Sequence, residues 1–166
     1  LNDGTTQAYT VSITGDTASA DTINNNSNVQ LTLNAYPTDI TGATNVTGSA
    51  GTTDVLNLTS LADGTATFDT NNDVFETINV VAVGTGVDTT LAMPAYDTSG
   101  TGGAGVTTVT INASSLSATN TLILNNATVD SNLAVTSGAG ADAITLGTGS
   151  DTVTSGAGND TITGTT

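Results

Sequence analysis

Ser137-Gly138-Ala139-Gly140-Ala141-Asp142-Ala143-Ile144-Thr145, Leu146-Gly147-Thr148-Gly149-Ser150-Asp151-Thr152-Val153-Thr154 and Ser155-Gly156-Ala157-Gly158-Asn159-Asp160-Thr161-Ile162-Thr163 follow one another without a gap. Gly, Gly, Asp and a branched aliphatic residue recur at the same offsets, and Gly164 opens a fourth copy. Two glycines spaced by one residue admit positive φ and turn their carbonyls to one side of a tight bend. The residues after each Asp alternate outward, inward, outward, as a short strand does. Ile144, Val153 and Ile162 are therefore expected to point inward and stack. Thr145, Thr152, Thr154, Thr161 and Thr163 should face solvent on a pleated surface.

This pattern resembles the RTX calcium-binding nonapeptide, G-G-x-G-x-D-x-U-x, with Ser137, Leu146 and Ser155 replacing the first glycine. The resemblance implies a parallel β-roll in which two nonads make one coil. Nonad 137–145 would lie against 155–163, with 146–154 on the opposite flank. It also implies Ca2+, with side-chain oxygens from Asp142, Asp151 and Asp160. Carbonyls would come from the turns at Gly138 and Gly140, Gly147 and Gly149, and Gly156 and Gly158. The charges agree with that expectation: turns stacked at strand spacing bring Asp142 and Asp160 to roughly 5 Å, where they repel by about 3 kcal/mol at an effective dielectric near 20. Calcium reverses that sign, because it takes carboxylate and carbonyl oxygens together. The plainer alternative is a Gly-rich β-turn whose Asp caps its own backbone. Three tandem copies in unbroken phase favour calcium. Asp151 is the least well supplied, since the rung upstream offers only Asp130 or Asn132.

Composition bounds the rest. The 166 residues hold no Lys, Arg, His or Cys against 15 acids, a formal charge of −15. Nucleic acid and anionic membrane, which need a basic surface, are excluded as partners. Neither a salt bridge between side chains nor a disulfide can form. Catalysis is not expected, because the usual bases and nucleophiles are missing. A carboxylate pair of the glycosidase kind would lack its aromatic cleft, as aromatics are only 3%. No apolar run reaches membrane-spanning length, and no signal-peptide pattern is visible. The chain opens at Leu1 and stops inside a repeat, so it reads as a processed product or an excised piece. A calcium-dependent fold places it where free calcium is abundant, outside the cell, at a bacterial surface.

Upstream, Tyr9, Val11 and Ile13, then Val29, Leu31, Leu33 and Ala35, alternate as two half-buried strands separated by a polar loop from Gly15 to Asn28. Tyr36-Pro37 ends that segment. A second signal is acid, any residue, aliphatic, then Asn or Thr. It occurs at Asp21–Asn24, Asp54–Asn57 and Glu76–Asn79, and again at each nonad. With Val109 and Ile111, Leu122 and Leu124, and Leu133 and Val135 also alternating, the expected fold is all-β. It is a parallel β-solenoid, regular at its C-terminal end and irregular upstream, divided as a β-rich segment 1–36, an irregular solenoid 37–136 and a calcium β-roll 137–166. Val135 lies nine residues before Ile144, so the core phase extends one rung upstream. Thr85–Gly105 reads as a long loop, and Leu116–Ala118 as a single turn.

Asp69-Thr70-Asn71-Asn72-Asp73 has calcium-loop spacing, but Val74 and Val80 stand where an EF-hand needs Gly and Glu. A different cation site from Asp69, Asn71, Asp73 and Glu76 competes with a solvated Asx-turn. Asp88, Asp97 and Ser99 have no supporting spacing. Sequons at Asn45, Asn57, Asn112 and Asn126 are of a kind this composition produces by chance.

Three functions are compatible with these readings. The Thr/Asn/Gly-rich stretches look like those of RTX-type surface-layer proteins, which implies a self-assembling lattice or filament bridged by calcium, with a cell-surface polysaccharide as a second candidate partner. A calcium-stiffened extender of an RTX adhesin is the alternative. A threonine ladder, Thr145 over Thr163, could instead match ice.

Overall fold

The computed structural model describes residues 8–14, 22–25, 29–40, 45–47, 53–68, 75–93, 108–126 and 132–164. Fourteen strands are seen among them: β1 (Tyr9–Ile13), β2 (Thr22–Asn24), β3 (Leu31–Ala35), β4 (Asn45–Thr47), β5 (Val55–Ser60), β6 (Gly64–Thr67) and β7 (Thr77–Ala82), then β8 (Asp88–Ala92), β9 (Thr108–Asn112), β10 (Thr121–Asn125), β11 (Asn132–Thr136), β12 (Ala143–Thr145), β13 (Thr152–Thr154) and β14 (Thr161–Thr163). The only helical element among the described residues is a 3-10 turn at Pro37–Asp39, where proline ends the preceding strand.

Every pairing among the described residues is parallel. One sheet runs β1-β3-β5-β7-β9-β11-β13, a second runs β14-β12-β10-β8-β6, and β2 pairs with β4. From β5 to β14 successive strands therefore alternate between two flanks, the winding of a β-solenoid. The expected all-β parallel architecture is present. Its registers align the apolar residues in columns: Leu33 with Leu56, Leu56 with Ile78, Ile78 with Ile111, Ile111 with Val135, and Val135 with Val153. On the other flank Leu91 meets Leu124, then Ile144, then Ile162. Period-two alternation makes this possible: Leu31, Leu33, Leu56, Leu58, Ile78, Leu91, Ile111 and Leu122 are all fully buried between the flanks, while their neighbours face out. Phe68 and Phe75 are fully buried at strand ends.

All six acid–x–aliphatic segments enter strands, starting β2, β5, β7, β12, β13 and β14. Nonad 137–145 lies against 155–163 through Ile144 and Ile162, and 146–154 occupies the other flank through Val153. Ile162 is 49% exposed on the edge strand β14, so it covers Ile144 without being covered itself.

Three expectations need correction. The polar loop between the first two strands contains β2, and the segment read as a loop from Thr85 contains β8, which buries Thr89 and Leu91 between β6 and β10. Threonine and alanine in Asp88–Ala92 diluted the apolar alternation that would have marked it. The single turn near Leu116 is two turns, closed by the Leu116 N–H to Ala113 and the Asn120 N–H to Ser117, both at 3.0 Å.

Candidate metal centre

Three layers of turn stack at the start of the β10, β12 and β14 rungs: the segment Leu116–Asn120, then 137–142, then 155–160. Backbone bonds tie them, from the Ala139 N–H to Leu116 at 3.0 Å and from the Ala157 N–H to Gly138 at 3.2 Å. The layers approach so closely that side chains are excluded. An added Cβ on Gly138 would lie 2.6 Å from the Leu116 carbonyl oxygen, one on Gly140 would overlap the Asn120 carbonyl, and one on Gly158 would overlap that of Gly140. Positive φ occurs at Gly156 (80°) and Gly158 (115°) but not at Gly138 or Gly140. The glycines of the first nonad are thus required by close approach and not, as the motif suggested, by backbone handedness.

At each rung the acid before the strand reaches back to the preceding coil. Asp142 Oδ1 accepts the Leu122 N–H at 2.8 Å, Asp151 Oδ1 accepts the Leu133 N–H at 2.8 Å, and Asp160 Oδ1 accepts the Asp142 N–H at 3.0 Å. The same device operates upstream, where Asp54 Oδ1 takes the Leu31 N–H at 2.7 Å and Glu76 Oε2 takes the Asp54 N–H at 2.5 Å. The plainer alternative does not describe the nonads: Asp142, Asp151 and Asp160 cap a neighbouring coil. Such bonds are charge-assisted and align one rung on the next.

Asp142 stands apart from the others. It is 1% exposed, and its Oδ2 is buried with no hydrogen-bond partner among the described residues. A buried carboxylate oxygen without donor or cation is costly. Asp160, half-buried, reaches Asp142 from the next turn, and the chain contains no basic side chain to neutralise either. Two carboxylates and the carbonyls of stacked glycine turns are the oxygen donor set that suits Ca2+, and an orphaned buried oxygen among them fits that ion. Asp142 and Asp160, with carbonyls of 137–142 and 155–160, would hold it.

The opposite flank offers less. Asp151 is half-buried, Gly147 is buried and Gly149 half-buried. The residue of the preceding coil in reach is Asn132, whose Oδ1 accepts the Ser150 N–H at 2.7 Å. Asp130 lies outside the described residues, as do Asp69, Asn71 and Asp73, and Asp97 and Ser99. Glu76 is described, and its carboxylate serves Asp54. Asp88 is exposed and its N–H donates to Asp63 Oδ1 at 2.9 Å. Among the described residues no three acidic side chains gather at one place.

Sequence reasoning missed one ordered feature. Asn34, Asn57 and Asn79 form an amide ladder on the outer face of the seven-stranded sheet: Asn79 Nδ2 donates to Asn57 Oδ1 at 2.9 Å, Asn57 Nδ2 to Asn34 Oδ1 at 2.8 Å, and Asn34 Nδ2 to Ser12 Oγ at 3.2 Å. The recurrence of Asn one residue after the inward aliphatic was its signal.

Compared with protein-family models, curated proteins and solved structures, the chain matches none.

Proposed function

We propose that this chain is a calcium-binding structural protein of the cell exterior. In this reading calcium completes the β-roll, and the stiffened solenoid assembles into a surface layer or fibre. The observation that carries it is Asp142: a buried carboxylate, gripped on one oxygen and orphaned on the other, stacked beneath Asp160 in a chain without one basic side chain. The resemblance of 137–163 to RTX nonads supports the same ion. Calcium would supply the positive charge that the stacked acids lack, while the polypeptide does the rest. The acids align the coils by taking backbone N–H groups, the glycines let the turns close up, and Ile144 and Val135 exclude water beneath them.

An extracellular setting follows from the chemistry, because a site of two carboxylates and carbonyls suits abundant calcium. Self-assembly draws support from the net charge of −15, which keeps copies apart until divalent cations bridge them. The test is circular dichroism and negative-stain electron microscopy of one preparation, with calcium and after chelation. Loss of β-signal around the roll, or dissolution of sheets or filaments, is expected on chelation. Spectra and particles indifferent to the chelator would overturn the reading.

A further inference from the structure

Asn112, at the end of β9, continues the column of Asn34, Asn57 and Asn79 in register above Asn79. Its amide behaves differently. Asn112 Oδ1 turns onto its own sequon, accepting the Ser114 Oγ–H at 2.8 Å and the Ser114 N–H at 3.2 Å. Asn112 and Ser114 are both exposed, and no hydrogen bond among the described residues engages Asn112 Nδ2. A hydroxyl and an N–H donated to a carboxamide oxygen withdraw charge from the amide, and here the Nδ2 is left open to solvent.

The other sequons whose asparagine side chain is described lack this combination. Asn25, in Asn25-Asn26-Ser27, is fully buried and spends its Nδ2 on the Val29 carbonyl at 2.8 Å. Asn57 is tied on both sides in the amide ladder. Asn126 is fully buried. Asn159, in Asn159-Asp160-Thr161, is exposed, but the Thr161 N–H that would have to fold back is committed to the Asp142 carbonyl at 2.8 Å.

We infer that Asn112 is an N-glycosylation acceptor, presented ready-folded on the outer face of the seven-stranded sheet. The donor class is a polyprenyl-pyrophosphate-linked sugar. Asn112 Nδ2 attacks the anomeric carbon, the bond from that carbon to the pyrophosphate oxygen breaks, and the lipid pyrophosphate leaves with the bonding pair. The Nδ2 proton passes to a base of the transferase, and nothing is oxidised or reduced. The inference rests on the extracellular reading for its setting, but its readout is independent of calcium.

The test incubates the folded full chain with a lipid-linked oligosaccharide and an N-glycosylating transferase, then maps the product. Cleavage before aspartate releases Asp97–Val129, which carries both Asn112 and Asn126, and fragmentation that preserves the glycan assigns the site. Sugar on Asn112, with Asn57, Asn126 and Asn159 bare, is expected. Ser114→Thr should keep at least half of that occupancy and Ser114→Ala should lose more than tenfold. Far-UV spectra identical to the parent would show that both variants fold. A bare Asn112 in the parent chain overturns the inference, as does Ser114→Ala occupancy equal to the parent. Sugar on Asn112 without any calcium response would leave this inference standing and sink the metal reading instead.

Discussion

Asp142 takes the Leu122 N–H on one oxygen and, in the proposed reading, offers the other to calcium, and substitutions can separate the two roles. Asp142→Asn keeps an oxygen for the Leu122 N–H while removing the buried charge. It should leave the calcium-free roll as stable as the parent or more so, and abolish most of its calcium response. Asp142→Ala strands the Leu122 N–H, and should cost about 1–3 kcal/mol with or without metal. Urea melts of the three proteins in calcium and in chelator distinguish these outcomes. Glu76 gives a pH signature. Burial first, and the nearby Asp54 carboxylate second, raise its pKa above the ordinary 4.5, against lowering by the Asp54 and Glu76 backbone N–H groups. A raised carboxyl favours the fold fully below its unfolded value and loses that contribution as pH rises through the folded one. Glu76→Gln, which retains an acceptor for the Asp54 N–H, should therefore raise the urea midpoint near neutrality and flatten its fall with pH. A midpoint lower than the parent at neutral pH would contradict this. The glycines divide in the same way. Gly140→Ala would collide with the Asn120 carbonyl and should cost about 1–3 kcal/mol, whereas Gly164→Ala has nothing within 4 Å and ordinary φ, and should be neutral in the same melt.

Single strands here are short, so an element is stabilised mainly by the one beside it. Asn57→Ala in β5 removes two ladder bonds, to Asn34 and Asn79, and should cost about 1–2 kcal/mol. Asn112→Ala in β9 removes an amide outside the ladder and should cost little by comparison. Thermal melts compare the two, and equal losses would show that the ladder does not stabilise the sheet. The same dependence on neighbours explains what could be read in advance. The nonads disclosed their own pairing because the aliphatic residue and the acid fall at fixed offsets, and the acid–x–aliphatic segments marked β5 and β7 for the same reason. β6 and β8 escaped notice, since Gly64–Thr67 and Asp88–Ala92 are built of small residues whose burial comes from the partner flank. Asp142, Asp151 and Asp160 were legible as a set. Their use as acceptors for the preceding coil was not, because it depends on which coil lies underneath, a relation no local pattern contains.

At the scale of the whole molecule, like charge is the main adversary. Monovalent salt should raise the melting temperature by screening, and calcium at equal ionic strength should raise it further by binding. Equal shifts from sodium and calcium would reduce the role of the ion to screening alone. One property of the stack bears on how it comes apart. Five of the acidic grips described above point the same way: Asp54 holds the coil of Leu31, Glu76 that of Asp54, Asp142 that of Leu122, Asp151 that of Leu133 and Asp160 that of Asp142, whereas Asp63 points the other way and takes the Asp88 N–H of the following coil. In those five cases the rung is latched by its successor. Along β10, β12 and β14, where the grips run one way, unzipping therefore has a preferred direction, from β14 through β12 to β10. Amide exchange should accordingly run fastest in Thr161–Thr163 and slow step by step through Ala143–Thr145 to Thr121–Asn125.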